Sequence, residues 1–455
     1  MIGRLPKHMA RPSLAAPALL AAATIVAYAG SLQGVFQFDD YRVIVGSAQV
    51  HSLDAWLGGL HDGLRPLLKL SYLANWTAGA GLFGFHLFNL LVHFANGCLV
   101  YMLARQFGER AAPRLDWQWP ALAAALLFIV HPVHAEAVTY VSGRSSSLMT
   151  LFYLSALSAY ARAATAGRPG RYTLLSLGLF ALALLVKESA VLFPLALLAW
   201  EWVARSPWRA IIARQWPFWL LSALGAVVLV LHPRYWAIIW ESLRALSLHD
   251  GFLTQLHGAA ILLGQLLWPA QLNIDPDLSP VRQVAAVWPE LACFLALLVT
   301  AWRCRDARPW VSLGIAWAML HLMVLNTVFV RADLVNERQL YWADWGLFLM
   351  LATEIERRVA KTWAWTILLV LASALTWVTI ERNHVYRSEI ALWEDTVAKS
   401  PAKARVHNNL GYAYQLAGRH DEAERAYARA LRLDPGHVKA ARNLAALRAE
   451  GTASK

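Results

Sequence analysis

Charge is scarce in this chain. Only 15% of its 455 residues are charged and 58% are hydrophobic, where a soluble globular domain carries nearer a quarter charged. That excludes an ordinary water-soluble fold for most of the length. Cysteine is nearly absent. Cys98, Cys293 and Cys304 lie in or beside apolar stretches at no ligand spacing, which excludes a disulfide framework and a zinc site. No G-x-x-x-x-G-K-S/T run occurs, so no phosphate-cradling nucleotide loop is expected. The apolar run 14–30 follows Arg4, Lys7, His8 and Arg11 and continues into Gly34-Val35-Phe36, so an uncleaved first helix is expected rather than a signal peptide. The net charge of +12 would suit nucleic acid. Its Arg residues, however, sit in short connections between apolar blocks, as in the cytoplasmic loops of a membrane protein. No nucleic-acid partner is expected.

What the chain has instead is a succession of apolar blocks of about bilayer length. They run roughly 14–32, 84–104, 119–139, 146–164, 172–187, 189–204, 215–232, 253–269, 286–302, 310–329, 339–355 and 363–380. Backbone groups in lipid must be satisfied internally, so these blocks should be helices. Twenty-two Trp residues, many near block ends, fit interfacial anchoring. The fold class is therefore all-α, a polytopic membrane helix bundle. Arg105/Arg110/Arg114, Arg162/Arg168/Arg171, Arg205/Arg209/Arg214, Arg303/Arg305/Arg308 and Arg357/Arg358/Lys361 mark the cytoplasmic connections. Three blocks lie between the inside positions 214 and 303, and parity is restored if 253–269 is re-entrant or interfacial. That leaves about eleven spans, with the N-terminus cytoplasmic and the C-terminus outside. The Ala/Arg/Trp-rich composition and the lack of a K-D-E-L-type tail point to a bacterial inner membrane, with the C-terminal part periplasmic.

Loop 33–83 faces outward on this topology. Asp54-Ala55-Trp56-Leu57-Gly58-Gly59-Leu60 reads as a short amphipathic surface helix. Phe36-Gln37-Phe38-Asp39-Asp40-Tyr41-Arg42 puts two acids at the water–lipid boundary. They are either a solvated turn or a general base with an orienting neighbour, because low dielectric raises a carboxyl's proton affinity. Cations share that side: Arg65 and Lys69 around Pro66-Leu67-Leu68, Arg144 after Ser142-Gly143, Lys187 in Lys187-Glu188, and Arg338 in Glu337-Arg338-Gln339-Leu340-Tyr341. Charges near apolar spans line polar cavities, pair internally or bind something. As a set they suit a phosphate; the other reading is internal pairing of Lys187 with Glu188 and of Glu337 with Arg338. His131-Pro132-Val133-His134-Ala135-Glu136 has the look of a metal site, but Pro132 disturbs the helix and no third ligand is suitably spaced. Hydrogen bonding to a sugar or phosphate is the better reading. His86, Asn89 and His93 share one helix face, as interhelical partners or cavity wall.

The tail changes character. Residues 388–450 are rich in Ala, Arg, Glu and Leu. Asn409-Leu410-Gly411-Tyr412-Ala413-Tyr414, Gly418-Arg419-His420-Asp421-Glu422-Ala423 and Leu433-Asp434-Pro435 match the tetratricopeptide helix–turn–helix pattern. The expected division is a membrane-embedded domain over 1–385 and a repeat module over 386–455.

Taken in order, Phe-x-Asp-Asp (36–40), Arg65-Pro66-Leu67, Phe85-His86-Leu87-Phe88-Asn89-Leu90-Leu91-Val92-His93, His131-Pro132-Val133-His134-Ala135-Glu136-Ala137-Val138 with Gly143-Arg144, Lys187-Glu188 and Glu337-Arg338-x-x-Tyr341 form a series. It resembles the transmembrane and tetratricopeptide-repeat O-mannosyltransferases and their bacterial relatives, within the C-type glycosyltransferase superfamily. The resemblance implies a multispanning enzyme that moves a sugar, most simply a mannose-like hexose, from a polyprenyl-phosphate donor to an acceptor hydroxyl at the outer face. It assigns catalysis to an acid of the first outer loop, matched here by Asp39 with Asp40 beside it. Donor phosphate and sugar contacts then fall to Arg65, Lys69, His86, His131, His134, Glu136, Arg144, Lys187, Glu188, Glu337, Arg338 and Tyr341. The chain departs from the family in Ser145-Ser146-Ser147, where many relatives carry an acid, and in its very short repeat tail. Expected partners are the lipid-linked donor, membrane lipid and an acceptor protein or glycan recruited by 388–450. A bridging divalent cation, Mg or Mn, is the one cofactor left open. The competing class is a transporter or flippase of a lipid-linked sugar with the tail as adaptor, which predicts repeated halves and helices broken at mid-membrane.

Overall fold

A computed structural model describes residues 14–61, 63–164, 169–328 and 334–453. Arg4, Lys7, His8, Arg11 and Arg168, and residues 331–333 of the expected outer segment 331–338, lie outside the described residues. Every apolar block becomes a helix. Six helices among the described residues are long and apolar enough to cross a membrane: Ala15–Gln33, Gly81–Ala111, Pro169–Val186, Trp208–Leu231, Pro309–Thr327 and Lys361–Val385. A seventh candidate is the pair Gln118–Val130 and Pro132–Val138, bent by 53°. Four of the expected spans fall short of that length and composition. Arg144–Ala163 opens on Arg-Ser-Ser-Ser, Phe193–Val203 and Trp345–Arg358 have 11 and 14 residues, and Trp288–Cys304 has 17. Residues 253–267 of block 253–269 lie within Leu248–Leu267, an unbroken 20-residue helix that is also not among the six.

The packing is inverted relative to a soluble protein. Leu174, Val228, Leu231, Leu369, Val370 and Trp377 are exposed, while Asn89, His93, Asn96, His131, His134 and Ser146 are buried. Apolar side chains face where lipid would be, and polar groups pair inside. The centre is built from Gly81–Ala111, Gln118–Val130 and Arg144–Ala163, with Val100, Leu103, Phe107, Phe128, Leu154 and Leu157 fully buried. Gly81–Ala111 has 31 residues, about 46 Å, and carries different chemistry at each end. At its far end Arg110 donates to buried Glu201 (2.7 Å), which also takes Arg214 (3.1 Å) and the Tyr160 hydroxyl (2.9 Å). Its beginning, around Phe85 and Asn89, supports the outer loop.

That loop holds more structure than its sequence suggests. The short helix expected at 54–60 forms as Leu53–Gly58, capped by Ser52, and is followed by a second helix, Pro66–Thr77. The tail folds as Glu389–Lys399, Ala404–Leu416, His420–Leu433 and Val438–Ala453. It touches the outer loop directly, so both lie on one side of the bundle. The Phe38 amide donates to Glu389 (3.1 Å) and the Phe38 ring meets Trp393 edge-on at 5.3 Å.

Candidate active site

The two acids of the outer loop are placed oppositely. The Asp40 carboxylate is completely buried and accepts from the Gln37 amide (3.0 Å), the Ser142 amide (2.8 Å) and the Ser142 hydroxyl. It closes the turn 37–40 and pins it to the turn Val141–Gly143. Burial pushes its carboxyl from the ordinary 3.8 up to about 7, with the three donated hydrogen bonds opposing that rise. Asp39 points the other way. Its side chain is 38% exposed and pairs with Arg42 at 3.5 Å, and its amide donates to the Tyr140 hydroxyl at 3.0 Å. One acid builds the loop; the other is presented to solvent.

The turn under Asp40 depends on Gly143. A Cβ there would lie 2.0 Å from the Glu136 carbonyl oxygen, so only glycine lets 141–143 pack on the helix Ala135–Val138. The chain reaches this point by breaking at His131, whose ψ of 126° is extended and precedes Pro132. His131 is hydrogen-bonded to the Leu266 carbonyl (3.0 Å), and His134 to the Phe128 carbonyl (2.7 Å) and Asp344 (2.9 Å). Both imidazoles are buried and engaged in holding the break together. Among the described residues no group of three or more His, Cys, Asp or Glu side chains is arranged to hold a metal ion.

A second element is a cavity of about 280 Å³ whose lining includes Arg65, Lys187, Glu188 and Tyr235, with Leu192 and Val230 among its apolar walls. The helix Pro169–Val186 stops at Lys187, which is extended (φ −156°, ψ 135°), before the 3-10 turn Glu188–Leu192. That break turns Lys187 and Glu188 into the cavity. Lys187 donates to the Ser146 hydroxyl (2.8 Å) and stands 4.7 Å over the Trp342 ring. Ser146 belongs to the run Ser145-Ser146-Ser147 at the start of the helix Arg144–Ala163. Arg65 binds Glu188 through two hydrogen bonds, 3.0 and 2.6 Å. Arg65 is itself in the left-handed region at φ 56°, just before Pro66.

Arg338 connects the two elements. It lies between the cavity residues Asn336 and Gln339, pairs with Glu136 at 2.7 Å and sits 5.8 Å over the Tyr140 ring. The same Tyr140 receives the Asp39 amide. The structure thus gathers Arg65, Lys187 and Glu188 at the cavity, and links Asp39 through Tyr140 to Arg338 and Glu136.

The other sequence candidates stand elsewhere. Arg144 is fully buried, with Nε on Asn89 (2.6 Å), Nη1 on the Ser71 carbonyl (3.1 Å) and Nη2 on the Phe85 carbonyl (2.9 Å), amid Tyr72, Phe85 and Phe88. Its donors already serve the fold, and it does not line the cavity. Tyr341 is in the core on His93 (2.8 Å) and Asn96 (3.1 Å). Glu337 pairs with Arg382 (3.3 Å) rather than with Arg338. Lys69 donates to Gln49, and burial lowers its ammonium pKa. His86 packs beneath Gly34, where a Cβ would come within 2.8 Å of its ring. Sequence reasoning misses Tyr140, Ser142, Arg382 and Glu389. Ser142-Gly143 reads there only as a lead-in to Arg144, and the other three carry no local pattern.

Two family models match the chain. One, tetratricopeptide repeat, covers residues 404–437. The other, dolichyl-phosphate-mannose-protein mannosyltransferase, covers residues 73–236 and so includes Arg144, Lys187 and Glu188. Over most of its length the chain is similar to proteins named as O-mannosyl-transferases. The human protein O-mannosyl-transferase TMTC1 is 27% identical over 514 residues, covering 95% of this chain and 56% of the relative. The Caenorhabditis elegans protein O-mannosyl-transferase F38B6.6 is 25% identical, covering 92% and 63%. Drosophila melanogaster Tmtc2 is 29% identical over 319 residues, covering 62% and 33%. The chain therefore spans little more than half the length of the first two relatives. The apolar helices and the mannosyltransferase match together mark a multi-pass membrane protein.

Proposed function

We propose that this protein is an integral-membrane glycosyltransferase that moves a hexose, mannose by analogy with its relatives' names, from a polyprenyl-phosphate donor to a protein hydroxyl. The reading is supported by two features: a part-exposed Asp39 carboxylate on the outer loop, linked through Tyr140 to Arg338, and an apolar cavity whose lining includes Arg65 and Lys187. The apolar walls suit the prenyl chain, and Lys187 and Arg65 suit the phosphate. In the reaction the acceptor oxygen attacks the anomeric carbon from the face opposite the phosphate and gives its proton to Asp39. The anomeric C–O bond breaks, its electron pair leaves on the phosphate oxygen, and the anomeric centre inverts. Lys187 opposes the charge that develops there. Asp40 acts indirectly by fixing the turn that presents Asp39. On this reading residues 1–385 form the catalytic domain, residues 386–455 a module beside its mouth, and the reaction runs on the extracytoplasmic face.

The test is transfer by purified protein from a panel of polyprenyl-phosphate hexoses to acceptor polypeptides. Asp39→Asn is expected to abolish transfer while donor binding and thermal stability stay near wild type. Full transfer by that variant would remove the proposal, and sugar-lipid movement across vesicles without any transfer would favour a flippase.

A further inference from the structure

The residue just before Asp39 has an unusual backbone. Phe38 has φ +45°, the left-handed region that bulky side chains rarely adopt and that persists only where surroundings over-determine it. The residues that hold it come from the opposite end of the chain. The Phe38 amide donates to Glu389 Oε1 at 3.1 Å. The Phe38 ring meets Trp393 at 5.3 Å with planes 72° apart. One residue earlier, Gln37 Nε2 donates to the Tyr386 carbonyl at 2.5 Å.

These gripping residues are themselves fixed. Ser388 caps the helix Glu389–Lys399 by accepting the Ala391 amide at 3.0 Å. Trp393 is 1% exposed. Arg382 ties Glu337 (3.3 Å) to Asp395 (3.0 Å). Asp275 receives Lys403 (2.7 Å) and Arg405, and the Asp275 carbonyl accepts from Ser400 (3.0 Å). The module is braced against the membrane body at points independent of Phe38, so it can act as a fixed support for the strained residue.

We propose that Glu389 and Trp393 are positioning residues for the transfer reaction: they hold Phe38 in its left-handed conformation and so aim the Asp39 carboxylate. The proposal rests on the reading of Asp39 as the base. If Phe38 relaxed to an ordinary conformation, the 38–39 peptide would rotate and the Asp39 amide would leave the Tyr140 hydroxyl. A displacement of about 1 Å at a reacting group costs on the order of a hundredfold in rate. A module that only recruits acceptor would act on acceptor KM; a positioning module acts on kcat.

The experiment uses the full chain in lipid nanodiscs with a polyprenyl-phosphate hexose and an acceptor polypeptide. Glu389→Ala is expected to lower kcat about ten- to a hundredfold, with donor and acceptor KM within about twofold. Glu389→Gln keeps an oxygen for the Phe38 amide and is expected to retain at least about half of kcat. Unchanged kcat in Glu389→Ala, a change confined to acceptor KM, or an equal loss in Glu389→Gln would each overturn the proposal. Should Glu389→Ala fail to fold, Phe38→Ala removes the ring from Trp393 at an exposed position. A fall in kcat at constant KM then supports the proposal, and full kcat overturns it. Asp39→Asn is assayed in parallel. Activity in that variant defeats the base assignment, whereas inactivity there beside an unaffected Glu389→Ala defeats only the positioning role.

Discussion

Replacing Asp40 by asparagine should flatten a pH dependence that wild type carries. In the folded protein the Asp40 carboxyl holds its proton up to about pH 7, because burial penalises the anion, whereas an ordinary Asp loses it near 3.8. As pH rises between these values the unfolded chain releases a proton that the folded chain keeps. Stability contributed by the neutral acid is fully present below about pH 4 and is lost progressively up to about pH 7. The gap between 3.8 and about 7, at about 1.4 kcal/mol per pH unit, is worth roughly 4 kcal/mol. A side-chain amide cannot titrate, so Asp40→Asn removes the slope. The substitution also brings an amide N–H toward the Gln37 N–H, a mismatch of about 1–3 kcal/mol that is the same at every pH. The measurement is thermal or denaturant unfolding in detergent, followed by tryptophan fluorescence from pH 4.5 to 8. The wild-type advantage over the variant should shrink by several kcal/mol across that range. Parallel stability curves for the two proteins would refute the buried neutral acid.

Lys187→Gln should lower kcat/KM for a lipid-phosphate sugar by about ten- to a hundredfold, and should cost about 1–2 kcal/mol of stability because the ammonium also binds Ser146 and stands over Trp342. Arg65→Ala should cost stability as well, about 1–3 kcal/mol, since it strands the partly buried Glu188; adding Glu188→Ala should restore the melting temperature but not the activity. Gly143→Ala should destabilise by at least about 1–3 kcal/mol, because its Cβ would sit 2.0 Å from a backbone oxygen, and activity should fall with it as Ser142 leaves Asp40.

The architecture was legible because lipid imposes it. Apolar length located the long helices, Pro132 marked the disturbance inside the block 119–139, and repeat spacing located the tail. Boundaries were less accessible: the block read as 84–104 extends as Gly81–Ala111, its polar ends meeting no penalty outside the hydrocarbon. The helix Pro66–Thr77 went unread because its mixed composition matches neither a span nor a surface stripe. In the site, the Asp39–Asp40 pair stood out as a pair. Which of the two is buried did not, since that is decided by Ser142, 102 residues away. Arg144 and Lys187 look alike in sequence, each a cation near the end of an apolar block. Only the fold shows that Asn89, Ser71 and Phe85 engage the first, whereas the second turns into the cavity. Tyr140 and Glu389 carry no motif at all; their roles come from what the folded chain brings beside them.

The contacts that shape the outer loop join residues 349 and 351 positions apart. A ribosome adding about 5–20 residues per second needs roughly 20–70 s to cover that distance. During that interval the Asp39 loop has left the ribosome without its final partners. The growing chain therefore carries Asp39 long before its surroundings can be set, and synthesis of the helix Glu389–Lys399 marks the earliest moment at which the outer loop can take its folded form.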